Sequence, residues 1–185
     1  MAVLVGPPGA QVGEVARELG RLTGLPVRDT DTDVEETAGC PVAEIFVDRG
    51  EAEFRELERA AVVDALTGHG GVLALGGGAV TDPRTEQDLA GRRVVFLDVG
   101  LPDAARRLGF HRDRPAGLGN PRAQWLSLME LRRPVYQRLA TVTVPTDGRT
   151  PAEVALAVCE VLGLPAIGGT GPGGGPGVLR GEDGR

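Results

Sequence analysis

The sequence predicts an α/β domain with a parallel sheet and helices on both faces. Three observations lead there: short β-branched or leucine-rich runs recur along the 185 residues, helical periodicity fills the gaps between them, and a glycine-rich turn joins the first run to the first helical stretch. A hydrophobic content of 41% is enough to bury one real core, so residues 1–165 are expected to form a single globular domain.

The elements follow in order. Ala2–Val5 is the first strand, and the loop of residues 6–14 follows it. Val15, Leu19 and Leu22 then recur on one helical face. Residues 26–28 read as a second, short strand. Phe54, Leu57, Ala61 and Val62 mark another helix, and residues 72–75 and 94–97 are strands. Residues 108–122 are rich in Gly, Pro, Arg and Asp without a period, as in a mobile surface loop or lid. From about Pro121 to Leu139 a helix is expected to turn Trp125, Leu128, Leu131 and Val135 to one side and arginines to the other, bending or ending at Pro134. Residues 142–144 make the last strand. Residues 166–185 form a Gly/Pro-rich tail, expected to be disordered from about Ile167, because it has no apolar area to offset the entropy of ordering.

Charge and composition exclude several functions. A formal net charge of -6 argues against a nucleic-acid partner, which needs clustered positive charge. No apolar run is long enough to span a bilayer and no charged leader precedes the first strand, so a soluble cytoplasmic protein without a membrane partner is expected. Cys40 and Cys159 are too few and too far apart for a disulfide framework or a zinc site, and His69 and His111 lack ligand partners at metal spacing. All 20 basic residues are arginine.

The loop Gly6-Pro7-Pro8-Gly9-Ala10-Gln11-Val12-Gly13-Glu14 lies between strand and helix, where backbone N–H groups and a helix N-terminus cradle phosphates. Against the motif G-x-x-x-x-G-K-[S/T], Gly6 fits the first glycine. Gln11 stands at the second glycine, Val12 at the lysine and Gly13 at the magnesium-binding hydroxyl. The loop therefore lacks the cation that neutralises charge between phosphates, and without a lysine anywhere only an arginine can replace it. Gln11 also places a side chain where glycine lets the backbone wrap tightly.

Downstream, Asp29-Thr30-Asp31 follows the second strand, at the carboxyl edge where open α/β sheets bind ligands. Then come Glu53-Phe54-Arg55, Leu75-Gly76-Gly77-Gly78-Ala79-Val80, Arg114-Pro115 and Arg132-Arg133-Pro134-Val135-Tyr136. Singly, Asp29 and Asp31 could be capping or turn residues, Arg55 a solvated helix charge, and the glycines a plain loop. Together they point to a site.

These motifs, with the A-x-I-F-x-x-x-G-E-x-x-F-R run of residues 43–55, resemble shikimate kinase, a family of the nucleoside monophosphate kinase type, and its actinobacterial members in particular. The resemblance covers residues 1–164. It implies a three-layer P-loop NTPase fold and phosphorylation of the shikimate 3-hydroxyl by ATP with magnesium, in aromatic amino-acid biosynthesis. It implies that Asp31 accepts hydrogen bonds from substrate hydroxyls and orients or deprotonates the attacking oxygen. Arg55 and Arg132 would grip a carboxylate with their planar forks. Gly77 and Gly78 would let backbone approach the ring. Asp29 would hold magnesium through water, and Arg114 would close over the phosphates. The nucleotide half would comprise Gly6, Gly9, Ala10, Gln11, Val12, Gly13, Arg107 near adenine, Arg114, and Arg149 in the adenine-side loop.

The lid departs from the family, since Ala116-Gly117 follow Arg114-Pro115 in place of leucines. The resemblance thus implies a monomer that binds shikimate or a similar carboxylated cyclitol, and the loop residues predict phosphoryl transfer weak or absent unless Arg112, Arg114 or another arginine supplies the cation. The alternative is a non-catalytic paralogue acting as a sensor or regulator. A kinase for another cyclitol is a third reading.

Overall fold

A computed structural model describes residues 1–110 and 119–167. Five strands, β1 (Ala2–Val5), β2 (Val27–Asp29), β3 (Val72–Ala74), β4 (Arg93–Asp98) and β5 (Val142–Pro145), form one sheet in the order β2-β3-β1-β4-β5. Every pairing is parallel, and the central strand is in register with both neighbours, Ala2 opposite Val72 on one side and Arg93 on the other. From β1 the chain goes first to the edge strand β2, returns to β3 between the two, and then crosses to β4 and β5 on the other side. The carboxyl end of β1 thus lies where the strand order switches, which is where such sheets bind ligands.

Alternation along β1 decides the layers. Ala2 and Leu4 face a core with α1 (Val12–Thr23) and α8 (Pro151–Leu162), while Val3 and Val5 face one with α4 (Gly50–Gly68), α5 (Pro83–Leu89) and α7 (Pro121–Leu139). A satellite core of Val34, Ile45, Phe54 and Ala61 joins α2 (Thr30–Ala38) and α3 (Val42–Asp48) to α4. Helix α6 (Leu101–Arg107) follows β4. The chain therefore has the three-layer α/β fold expected of the nucleoside monophosphate kinase type.

The late helix differs from the expectation. It runs through Pro134 to Leu139 without ending there. Its buried stripe is Trp125, Met129 and Tyr136, and Leu131 stands 78% exposed. Successive three-residue steps from Trp125 drift off a 3.6-residue period, whereas steps of four and seven return to the same face. The arginines do not lie opposite the core either: Arg132 and Arg133 are half-buried and reach back to Gly77 and Asp98. Pro121 and Arg122, which the loop and helix expectations both claimed, are the first turn of α7 as the helix reading has it, capped by the Asn120 side chain. Arg112, Arg114 and the rest of 111–118 lie outside the described residues, as does the tail from 168. Ile167, where disorder was expected to begin, donates its N–H to the Leu22 carbonyl at 2.6 Å.

Candidate functional site

The glycine-rich loop and the carboxyl ends of β1, β2 and β3 enclose a cleft of about 430 Å³. Gly6, Gly9, Gln11, Val12 and Gly13 line it from the loop, Asp29 from the end of β2, Asp31 from the first turn of α2, and Gly77 from the turn after β3. The predicted nucleotide loop and part of the predicted substrate constellation thus share one space, while Ala10 is buried beneath the loop.

Gln11, the residue before α1, has φ 60 and ψ 43, and it is the one non-glycine residue with positive φ among the described residues. The backbone keeps a left-handed conformation suited to glycine even though glycine is absent, at a cost of roughly 1–2 kcal/mol. The loop is anchored from outside. Trp125 donates its indole N–H to the Pro8 carbonyl at 3.0 Å, so the residue expected only to pack also pins the loop. Arg107 donates to the carbonyls of Gly9, Thr146 and Arg149 at 2.9, 2.6 and 3.1 Å, tying the loop to the turn before α8. Arg149 itself is exposed and offers its carbonyl to that clamp.

Asp29 does two things. Its Oδ1 accepts from the Asp31 N–H at 3.1 Å and caps α2, as the plain capping reading has it. Its Oδ2 faces the loop, 2.5 Å from where a Cβ on Gly13 would stand. Burial pushes the Asp29 carboxyl above its usual range.

Asp31 is pushed up to about 6, first by burial and then by the charges of Asp29, Glu58 and Glu35. Its surroundings depend on Gly76: a Cβ there would collide with the Asp31 carboxylate and stand 3.1 Å from Glu58 Oε1. The Gly76 N–H is held by the buried Thr30 hydroxyl at 3.0 Å.

Arg55 bonds Glu58 at 2.7 Å and Glu51 at 3.1 Å. Glu58 is 3% exposed, and burial raises its carboxyl against the lowering effect of Arg55. A Cβ on Gly78 would collide with the Arg55 guanidinium. On Gly77 it would come within 3.2 Å of the Gly6 carbonyl. A methyl at either position would therefore press on the protein's own side chain or backbone before any ring is bound. Arg132 donates to the Gly77 carbonyl at 3.1 Å and Tyr136 at 2.6 Å, which fixes that turn from α7.

Sequence reasoning passed over Gly76, Glu58, Thr30, Trp125 and Arg17. The first two had a signal, a glycine beside the two already chosen and a glutamate one turn beyond Arg55. Trp125 and Thr30 act through contacts far apart in sequence. For magnesium, the donor set is the hard oxygens of Asp29 and Asp31, which suits an ion that keeps several waters and binds through one or two carboxylates. Residue 13 adds no ligand.

The sequence matches the shikimate kinase family over residues 9–163. It is 52% identical to a shikimate kinase of Salinispora arenicola over 162 residues, covering 88% of this chain and 97% of that protein. It is 49% identical to one of Thermobifida fusca, covering 91% and 96%. Among solved structures, shikimate kinase from Acinetobacter baumannii in complex with shikimate superposes with a TM-score of 0.79 at 29% identity, covering 87% of this chain and 91% of that one. Shikimate kinase from Aquifex aeolicus gives 0.71 at 25%, covering 88% and 96%. With its central strand, loop and carboxylate cleft arranged as described, the chain belongs to the shikimate kinase family.

Proposed function

We propose that this protein binds shikimate or a closely related carboxylated cyclitol and transfers phosphoryl from ATP to it slowly or not at all. The observation that carries the reading is that Asp29, Asp31 and Gly77 line one cleft with a loop that holds Val12 and Gly13 where a lysine and a hydroxyl belong. The match to curated shikimate kinases supports the ligand class and the family reaction.

In this reading the ring lies over the Gly76-Gly77-Gly78 turn. Asp31 accepts from its hydroxyls and takes the proton of the attacking oxygen, a task helped by a carboxyl already raised to about 6. Arg55 and Arg132 receive the substrate carboxylate. Arg55 is held ready by buried Glu58, and Arg132 by the Gly77 carbonyl. Asp29 would hold magnesium through water, which when bound neutralises charge on the phosphates. Arg107 braces the nucleotide loop through its three carbonyl contacts, and Arg149 borders the same turn. Arg114 is assigned to the phosphates from the resemblance. Phosphoryl transfer rests on positioning and charge stabilisation, so losing lysine and hydroxyl together slows it by on the order of a thousandfold or more.

Calorimetric titration with shikimate and with Mg-ATP, followed by a coupled kinase assay, tests the reading. Shikimate binding with turnover far below that of the Salinispora arenicola relative is expected. Turnover equal to that relative would sink the claim of slow transfer, and no shikimate binding would sink the ligand assignment. A non-catalytic sensor would bind shikimate and give no turnover at all.

A further inference from the structure

We infer that Arg17 supplies the cation missing from the glycine-rich loop, and that it binds phosphate oxygens of a nucleoside di- or triphosphate in the cleft. Arg17 lies on α1, four residues beyond Gly13 and thus on the same helix face one turn further along. Side chains of an α-helix lean toward its N-terminus, so an arginine here reaches back over the first turn. Its Nη1 lies 3.5 Å from where a Cβ on Gly13 would stand, and the residue lines the 430 Å³ cleft.

Among the described residues, no carboxylate stands within ion-pair distance of Arg17 and no hydrogen bond holds it, and its charge acts on Asp29 across Gly13. Other arginines close to the cleft are committed: Arg107 to three carbonyls, Arg55 to Glu51 and Glu58, Arg132 to Gly77. The cleft also carries the carboxylates of Glu14, Asp29 and Asp31, so a phosphate entering it without a cation would meet only like charge. A guanidinium offers paired donors to phosphate oxygens, and the loop's N–H groups and the positive end of α1 lie beside it. Arg17 thus approaches the phosphates from the α1 side. It serves binding without reproducing the lysine's place between β- and γ-phosphates, consistent with slow transfer.

The inference rests on the reading that the loop side of the cleft faces a nucleotide, and the two can fail separately. Calorimetric titrations of Mg-ADP, Mg-ATP and shikimate would be run on the unaltered protein and on Arg17→Ala, Arg17→Lys, Glu14→Gln and Arg21→Ala. Arg21 is a control on the same helix, paired with Glu18 at 2.9 Å. The expected result is a loss of nucleotide affinity of about tenfold or more in Arg17→Ala. Arg17→Lys should lose less, Glu14→Gln should gain, Arg21→Ala should be unchanged, and shikimate affinity should be constant throughout. Nucleotide binding by Arg17→Ala equal to that of the unaltered protein overturns the inference. So does failure of the unaltered protein to bind Mg-ADP or Mg-ATP at millimolar concentrations, even while shikimate binding sustains the substrate assignment. A parallel loss of shikimate affinity in Arg17→Ala also overturns it, because the residue would then support the cleft as a whole.

Discussion

Two residues carry properties that their types alone do not predict. Gln11 sits at φ 60, so Gln11→Gly should stabilise the protein by about 1 kcal/mol, raising the melting temperature by roughly 2–4 °C. Thermal unfolding followed by circular dichroism checks this, and no rise would mean the Gln11 side chain offsets its backbone strain. Asp31 has its folded-state carboxyl raised to about 6, above the unfolded value near 4. Its contribution to stability is therefore present below the unfolded value and lost as pH rises through about 6. Asp31→Asn should then gain on the order of 2 kcal/mol at pH 8 and nothing at pH 4. The same titration sets function: the affinity for shikimate should fall as pH drops below about 6, and an affinity flat from pH 5 to 8 would remove Asp31 from the substrate contacts. Gly78→Ala belongs here too. Its methyl displaces the Arg55 guanidinium and should weaken shikimate binding about tenfold while leaving nucleotide binding unchanged.

At the scale of elements, helix ends and the turns between them hold the cleft in shape. Helix α8 begins with a capping box in which Thr150 and Glu153 exchange hydrogen bonds, directly after the turn clamped by Arg107. Thr150→Ala should cost about 1 kcal/mol, read as a lower denaturation midpoint at an unchanged slope. Helix α2 is capped by Asp29, the same carboxylate that faces Gly13. This affects any attempt to rebuild the loop. A serine at position 13 places its Cβ 2.5 Å from Asp29 Oδ2, so the carboxylate must turn and its cap on α2 is disturbed. Rebuilding with Gln11→Gly, Val12→Lys and Gly13→Ser should still raise Mg-ATP affinity sharply, because lysine restores the missing charge. The expected accompaniment is a lower melting temperature than that of Gln11→Gly with Val12→Lys alone. No gain in nucleotide affinity by calorimetry would mean that the nucleotide side has lost more than the loop.

At the scale of the whole molecule, the fold class, all five strands to within about a residue or two, the loop and the separated family motifs were legible in the sequence. β1, β3 and β4, buried on both faces, read as continuous apolar runs, and D-T-D, G-G-G and R-x-P-x-Y are local patterns that keep their spacing. The stripe of α7 was misread because its apolar residues outnumber its buried ones, and only packing against the sheet chose Trp125, Met129 and Tyr136. What the sequence by itself determined is the layered sheet, the family and the residues that stand at positions 11 to 13 of the glycine-rich loop, since periodicity and motif spacing are properties of neighbouring residues. Only the tertiary structure decided that Trp125 and Arg107 anchor the loop, that Glu58 holds Arg55, that Gly76 makes room for Asp31 and that Arg17 stands over Gly13. Except for the pairs on one helix, these contacts join residues tens of positions apart, and even within α1 and α4 the direction of a side chain is set by what the sheet leaves empty.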